Sequence, residues 1–274
     1  MSTKFIRGLI GLTAAALAVV VAIHVIGLSP STDYGTSLYD EENLPADVEL
    51  VVFLGNSHTY GHEVPQMVEH IAASDDRHPP LWAKMAAGGG WRIQDHLESG
   101  NSQRLVRRPD SAYVVIQGAS GEPLLTPDQY RRDFTELADQ ASSEGAEVIA
   151  YQTWPYAPGH QFYTQGSETT LTSPAEAFQQ IEAVTGELVR QDDQISGLAP
   201  VGRAFEGLRN SRHDLDLYAD DGNHATVSGA YLAALVIYTA IRDDELPDAP
   251  WHPSSVSEQE ATVLQQFANR THRF

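Results

Sequence analysis

Val48-Glu49-Leu50-Val51-Val52-Phe53-Leu54-Gly55-Asn56-Ser57-His58-Thr59 carries an apolar run straight into a short polar segment. The run over residues 48–54 reads as a buried strand. Four further strand-like runs follow, over residues 81–86, 112–117, 147–152 and 195–201, with helical patterns between them. Strands that alternate with amphipathic helices predict a parallel sheet covered on both faces. In such a sheet ligands sit beyond the carboxyl ends of the strands, and Ser57 lies just past the end of the first.

The helix starts are marked. Thr126-Pro127-Asp128-Gln129 has the form of a capping box with proline at the first helical position, and Tyr130, Phe134, Leu137 and Ala141 then share one face. Ser173-Pro174-Ala175-Glu176 repeats that signal ahead of Phe178, Ile181 and Leu188. Asp221-Gly222-Asn223-His224 opens a long stretch, residues 225–241, that reads as an amphipathic helix. A last helix, with Val263, Leu264 and Phe267 as its apolar contacts, is expected to cover the domain.

The chain has 274 residues, enough for one well-buried domain with appendages. It contains no cysteine, which excludes disulfides, thiolate metal ligands and a cysteine nucleophile. Formal net charge is −20, and lysine occurs only at Lys4 and Lys84. So acidic a surface repels nucleic acid and polyanionic substrates. The N-terminus differs from the rest. Lys4 and Arg7 precede an apolar run over residues 8–28, of a length that spans a bilayer as a helix. Residues 1–28 therefore read as a signal anchor that places the remainder outside the cytoplasm, a cleaved signal peptide being the competing reading. Residues 29–46 form a polar linker, 47–245 the main domain and 246–274 a C-terminal extension.

Ser57, Asp221 and His224 supply the chemistry of nucleophilic acyl transfer. A serine hydroxyl needs a base within hydrogen-bond reach, and an aspartate three residues before a histidine can orient that base from behind. Developing negative charge on the substrate oxygen needs donors. Gly88-Gly89-Gly90, after the second strand, can offer a backbone N–H, and Gln117, at the end of the third, a side-chain amide. His58 and His62, four residues apart, raise a metal site, but Gly61 interrupts the helix between them and no third ligand follows from the sequence. Trp91, Trp154, Tyr156 and Tyr163 are candidates to line the mouth of the site. Each of these residues alone has an ordinary structural reading, as a turn, cap or core position.

Taken in order, these segments resemble the motifs of the SGNH (GDSL-like) hydrolase superfamily. Gly55-Asn56-Ser57 is similar to its nucleophile block, with asparagine in place of the commoner aspartate. Gly90, seven residues before Leu97, matches its glycine block, and Asp221 to His224 its terminal Asp-x-x-His. Gln117-Gly118-Ala119-Ser120 departs from the third block: Ser120 stands where the family has asparagine, and the segment looks more like the Gln-Gly block of carbohydrate acetylesterases. Longer stretches around Ser57 and His224 resemble a bacterial SGNH-like subgroup. The resemblance covers residues 47–241 and implies a three-layer α/β/α flavodoxin-like fold with no cofactor. It implies Ser57, Asp221 and His224 as catalytic residues and an oxyanion hole from Ser57, Gly90 and Gln117, with Ser120 the alternative to Gln117. The expected activity is that of a serine esterase on a small-molecule or glycan ester, a short acyl or O-acetyl group among them. A non-catalytic carbohydrate-binding or assembly protein and an acyltransferase are the other readings.

Overall fold

Five strands, β1 (Glu49–Gly55), β2 (Leu81–Ala87), β3 (Ser111–Ile116), β4 (Glu147–Tyr151) and β5 (Gly197–Ala199), run parallel in the order β2-β1-β3-β4-β5. They come from a computed structural model that describes residues 37–39, 41, 44–164, 170–211 and 214–272. The expected anchor over residues 1–28 and most of the expected linker lie outside the described residues. No helix among the described residues is long and apolar enough to cross a membrane.

Strand β1 shows why the sheet is central. Its side chains alternate between two faces, Val51 and Phe53 entering one core and Leu50, Val52 and Leu54 the other, and all five are buried. The described residues form ten α-helices around the sheet: α1 (Ser57–Tyr60), α2 (Val64–Ala73), α3 (Ile93–Glu98), α4 (Gly100–Val106), α5 (Glu122–Leu125), α6 (Pro127–Ser143), α7 (Pro174–Gln191), α8 (Val201–Asn210), α9 (Val227–Arg242) and α10 (Glu258–His272). The core on one face is built with α2, α8, α9 and α10, and that on the other with α3, α4, α6 and α7. This is the expected α/β/α sandwich.

Three local expectations are corrected. β5 is three residues long, not the seven of 195–201. It is an edge strand, and Pro200, which has no N–H for a ladder, caps α8 directly after it. Thr126 precedes α6 but makes no side-chain cap; its hydroxyl accepts a hydrogen bond from Arg92 Nη2 at 2.9 Å instead. Helix α9 begins at Val227, with Thr226 as its cap, and is buried almost all round rather than amphipathic. The cause is α10, whose Leu264, Phe267 and Ala268 enter the core that α9 shares with the sheet. By contrast Ser173 does cap α7, accepting from the Glu176 N–H at 3.3 Å.

The outer edge of the sheet, β2, is closed by a buried side chain. Glu69 of α2 accepts hydrogen bonds from the Ala83 N–H at 2.6 Å and, through its other contacts, from the Leu38 N–H and the Ser37 hydroxyl at 2.8 Å each. Burial raises its pKa against the pull of these three donors.

The chain order reverses between β1 and β3, so a crevice opens at their carboxyl ends. The nucleophile segment follows β1, the Gln117 segment follows β3, and both turn into that crevice.

Candidate active site

The chain leaves β1 through Gly55 and turns sharply at Asn56, which caps α1. Nearly every polar group of this turn is bonded. The Asn56 side chain accepts from the His58 N–H at 3.0 Å and donates to the Trp91 carbonyl at 2.9 Å. The Asn56 carbonyl receives the N–H groups of Thr59 and Tyr60, and the Asn56 N–H donates to Gln117 Oε1 at 2.9 Å. Ser57 is the exception: its N–H has no partner among the described hydrogen bonds. Gly55 admits no side chain, because a Cβ there would lie 2.2 Å from Thr59 Oγ1 and 2.6 Å from Gln117 Oε1. Left-handed backbone at His62 and Glu63 (φ 54° and 55°) then separates α1 from α2.

The second segment arrives from the C-terminal side. The loop before α9 is closed by hydrogen bonds from the Ala219 N–H to the His224 carbonyl at 2.8 Å and from the Thr226 N–H to the Leu217 carbonyl at 3.0 Å. Within it Asp221 Oδ1 accepts the N–H groups of Asn223 and His224, both at 2.9 Å, leaving Oδ2 to meet His224 Nδ1 at 2.5 Å. His224 Nε2 lies 2.8 Å from Ser57 Oγ. Since the carboxylate only accepts, the ring proton sits on Nδ1 and the Nε2 lone pair faces the serine hydroxyl. Partial desolvation opposes the Asp221 charge, but the His224 ring and the two backbone N–H groups outweigh it and bring the carboxyl down to about 2. The structure thus brings Ser57, His224 and Asp221 into one continuous line of hydrogen bonds. Such a line can move a proton off a serine hydroxyl as the oxygen attacks.

Gly90 lies in the exposed turn after β2, at φ +70°. The Trp91 N–H closes this turn on the Gly88 carbonyl at 3.1 Å, and the Asn56–Trp91 bond fastens it to the nucleophile segment. The Gly90 N–H, like that of Ser57, has no described partner.

Gln117 does something other than expected. Its Oε1 accepts from the Asn56 N–H and from the Thr59 hydroxyl, both at 2.9 Å, and its Nε2 donates to the Gly118 carbonyl. It is fully buried, and these bonds make its amide a brace between the ends of β1 and β3. Ser120, also buried, holds its hydroxyl oxygen 3.3 Å from both ring nitrogens of His58 and 3.4 Å from Asn223 Oδ1. Trp154 is likewise a core residue and not part of the mouth. It stacks on Phe205 with ring centroids 4.2 Å apart, and its Nε1 donates to the Asn223 carbonyl at 2.9 Å. His58 and His62 turn to different carbonyls, those of Asn223 at 3.1 Å and Ala225 at 3.2 Å. Among the described residues no group of three or more His, Cys, Asp or Glu is arranged to hold a metal ion.

Two residues near the site escaped the sequence reading. Tyr60, 41 % exposed, holds its ring next to Gly89, where a Cβ would lie 3.4 Å from its hydroxyl. An exposed aromatic one turn after a candidate nucleophile was the available signal. His96 is fully buried, donates from Nε2 to the Gly55 carbonyl at 3.1 Å and receives Ser102 Oγ on Nδ1 at 2.8 Å. Burial brings it down to about 4, so it is neutral and clamps the start of the turn. No motif marks it. A cavity of about 340 Å³ lies elsewhere, between α7, β5, α9 and α10, and none of the site residues line it.

No protein-family model matches the chain, and neither does any curated protein. Solved structures do. A "putative SGNH hydrolase" from Slackia heliotrinireducens is 26% identical with a TM-score of 0.60, over 71% of this chain and 99% of that one. A DUF4886 family protein from Bacteroides uniformis aligns over 83% of this chain and 96% of its own, with 17% identity and a TM-score of 0.67. A catalytic mutant of an acetylxylan esterase from Geobacillus stearothermophilus is 13% identical over 70% of this chain and 94% of that one, with a TM-score of 0.52. The last two are likenesses of fold alone.

Proposed function

We propose that this chain, an SGNH-type hydrolase, is a serine esterase that works through an acyl-enzyme outside the cytoplasm, on short acyl or O-acetyl esters of carbohydrate. The observation that carries this reading is the line Ser57–His224–Asp221, with hydrogen bonds of 2.8 and 2.5 Å, at the point where the strand order reverses. Ser57 Oγ attacks the carbonyl carbon while His224 Nε2 takes its proton. The substrate oxygen gathers the negative charge in front of the Ser57 and Gly90 N–H groups, each of which is free to donate. One such donor is worth about 10²–10³ in rate. The tetrahedral species collapses, the bond to the leaving oxygen breaks, and His224 hands its proton to the departing alcohol. Water then attacks the acyl-Ser57 carbonyl, passes a proton to His224 and releases the acid, and the proton returns to Ser57. Asp221, ionised throughout, holds the ring and stabilises its cationic form.

The shape of the site supports this substrate class. The site is open, with the exposed Tyr60 and the half-buried Trp91 at its margin. Aromatic faces beside an open crevice suit a sugar ring, whereas a long acyl chain needs an enclosed apolar cavity. The extracytoplasmic setting is supported by the apolar run over residues 8–28 behind Lys4 and Arg7.

The test is active-site labelling of the full chain with a fluorophosphonate, read by mass spectrometry, beside Ser57→Ala and His224→Ala. An adduct on Ser57 that needs His224 is expected, followed by release of acetate from acetylated sugars. A folded wild-type chain that takes no label sinks the proposal and favours a carbohydrate-binding role.

A further inference from the structure

His58 follows the candidate nucleophile directly, yet nothing so far gives it a task. It is 5 % exposed and sits at the junction of the two segments that must meet for the site to work. Its ring lies against that of His224, centroids 5.5 Å apart and planes inclined by 20°. The edge of Trp154 meets it from another side at 4.6 Å and 75°. Its Nε2 lies 3.1 Å from the carbonyl of Asn223, the residue immediately before His224. Its Nδ1 lies 3.3 Å from both Asn56 Oδ1 and Ser120 Oγ. Of the two oxygens that only accept, the nearer, the Asn223 carbonyl, takes the ring proton on Nε2, and Nδ1 is left to accept from the Ser120 hydroxyl. The backbone of His58 is fixed as well, its N–H by Asn56 and its carbonyl by the Tyr151 hydroxyl at 3.3 Å.

We propose that His58 is a positioning residue for His224, holding that imidazole in line with Ser57 by ring stacking and by its bond to the Asn223 carbonyl. This rests on the esterase reading for its kinetic part only. The carbonyl of Asn223 takes two donors, Trp154 Nε1 and His58 Nε2, so the peptide leading into His224 is pinned from the core side. Without that, His224 is held by its own exposed loop and by Asp221, whose side chain is 51 % exposed. A flat ring beneath the base blocks the rotamers that would swing Nε2 away from Ser57. Burial, ahead of every other influence, keeps His58 near 4, so it stays uncharged while His224 acquires its proton and adds no repulsion there. Ser120 supports the same ring, which gives that residue a role where the family carries asparagine.

The experiment separates the two ways of holding the ring. His58→Phe keeps the stack and loses the bond; His58→Gln keeps a donor near Asn223 and loses the stack; His58→Ala loses both. With an activated acetyl ester, His58→Ala is expected to lower kcat by about 10–100-fold, the scale of a small misplacement of a catalytic group, while KM moves less than about threefold. Phe and Gln each recover part of kcat at an unchanged KM. The second readout needs no turnover: the His224 Nδ1–H bonded to Asp221 should give a downfield proton resonance, lost in His58→Ala and retained in His58→Phe. If His58→Ala keeps kcat within about threefold and keeps that resonance, the positioning role is overturned while the esterase reading stands. If the wild type neither labels nor turns over, the esterase reading fails, and the resonance alone decides His58. Should His58→Ala fail to fold, the Phe and Gln variants decide: wild-type kcat in both overturns the proposal.

Discussion

The segment that carries Ser57 is walled in, while the loop that carries His224 stands in solvent. Asn56, His58 and Thr59 are 2, 5 and 1 % exposed, whereas the side chains of His224 and Asp221 are 42 and 51 % exposed. Three residues grip the first: Gln117 after β3, His96 of α3, and Trp91 after β2 through its carbonyl. The second is braced by its own hydrogen bonds and tied to the rest of the domain mainly through backbone carbonyls, those of Gly222, Asn223 and Ala225. A nucleophile must not move, and a base must exchange protons with leaving group and water. The two requirements have been met by opposite kinds of environment.

That contrast makes function and stability separable. His224→Ala, on the open side, should lower kcat by roughly 10³–10⁴-fold, as for a general base acting with its nucleophile, and leave Tm within a few degrees. Comparable loss of both would erase the distinction.

The walled side responds to pH. His58 and His96 are neutral in the folded chain with pKa values of about 4, below the ordinary 6.5, so the unfolded chain binds their protons first as pH falls. Their contribution to stability is whole above pH 6.5 and is lost progressively on the way down to about 4, at about 1.4 kcal/mol per pH unit for each residue at most. Urea titrations between pH 7 and 4 check this, and His58→Phe should remove its share of the slope.

Gly55→Ala should destabilise by about 2–3 kcal/mol, since the new methyl has to displace both Thr59 and the buried Gln117 amide. Thermal unfolding reads this. The smallest and sharpest effect concerns Gln117. Gln117→Ala leaves the Asn56 N–H buried and unpaired, so a loss of about 1–3 kcal/mol in stability is expected with kcat reduced only severalfold. Were the amide an oxyanion donor, kcat would fall by about 10²–10³ at nearly constant stability.

The same contrast governs what the sequence discloses. Residues 48–54 announce β1 because a central parallel strand must be apolar on both faces. Asp221 and His224 are legible because their partnership is local, three residues apart in a loop. The bracing role of Gln117 could not be read, because its amide is directed by two distant donors, Asn56 and Thr59, which no local pattern reveals. His96 and Trp154 hydrogen-bond to the site through the carbonyl groups of Gly55 and Asn223, and backbone carbonyls leave no signature in the sequence. The candidate catalytic residues could be found from spacing; the residues that hold them required the fold. A covering last helix was legible, but not that α9 is the element it buries, since that contact joins α10 to a helix earlier in the chain.

Glu69 bears on a different matter, the company the protein keeps with itself. A parallel sheet ending in a free edge is a template on which a second chain can register, strand against strand. At β2 the Ala83 N–H that would recruit such a strand is already held by a carboxylate, and the same carboxylate gathers Ser37 and Leu38 alongside. The incoming polypeptide is thereby laid against the rim, and a buried acid takes the place of a neighbouring strand at that N–H.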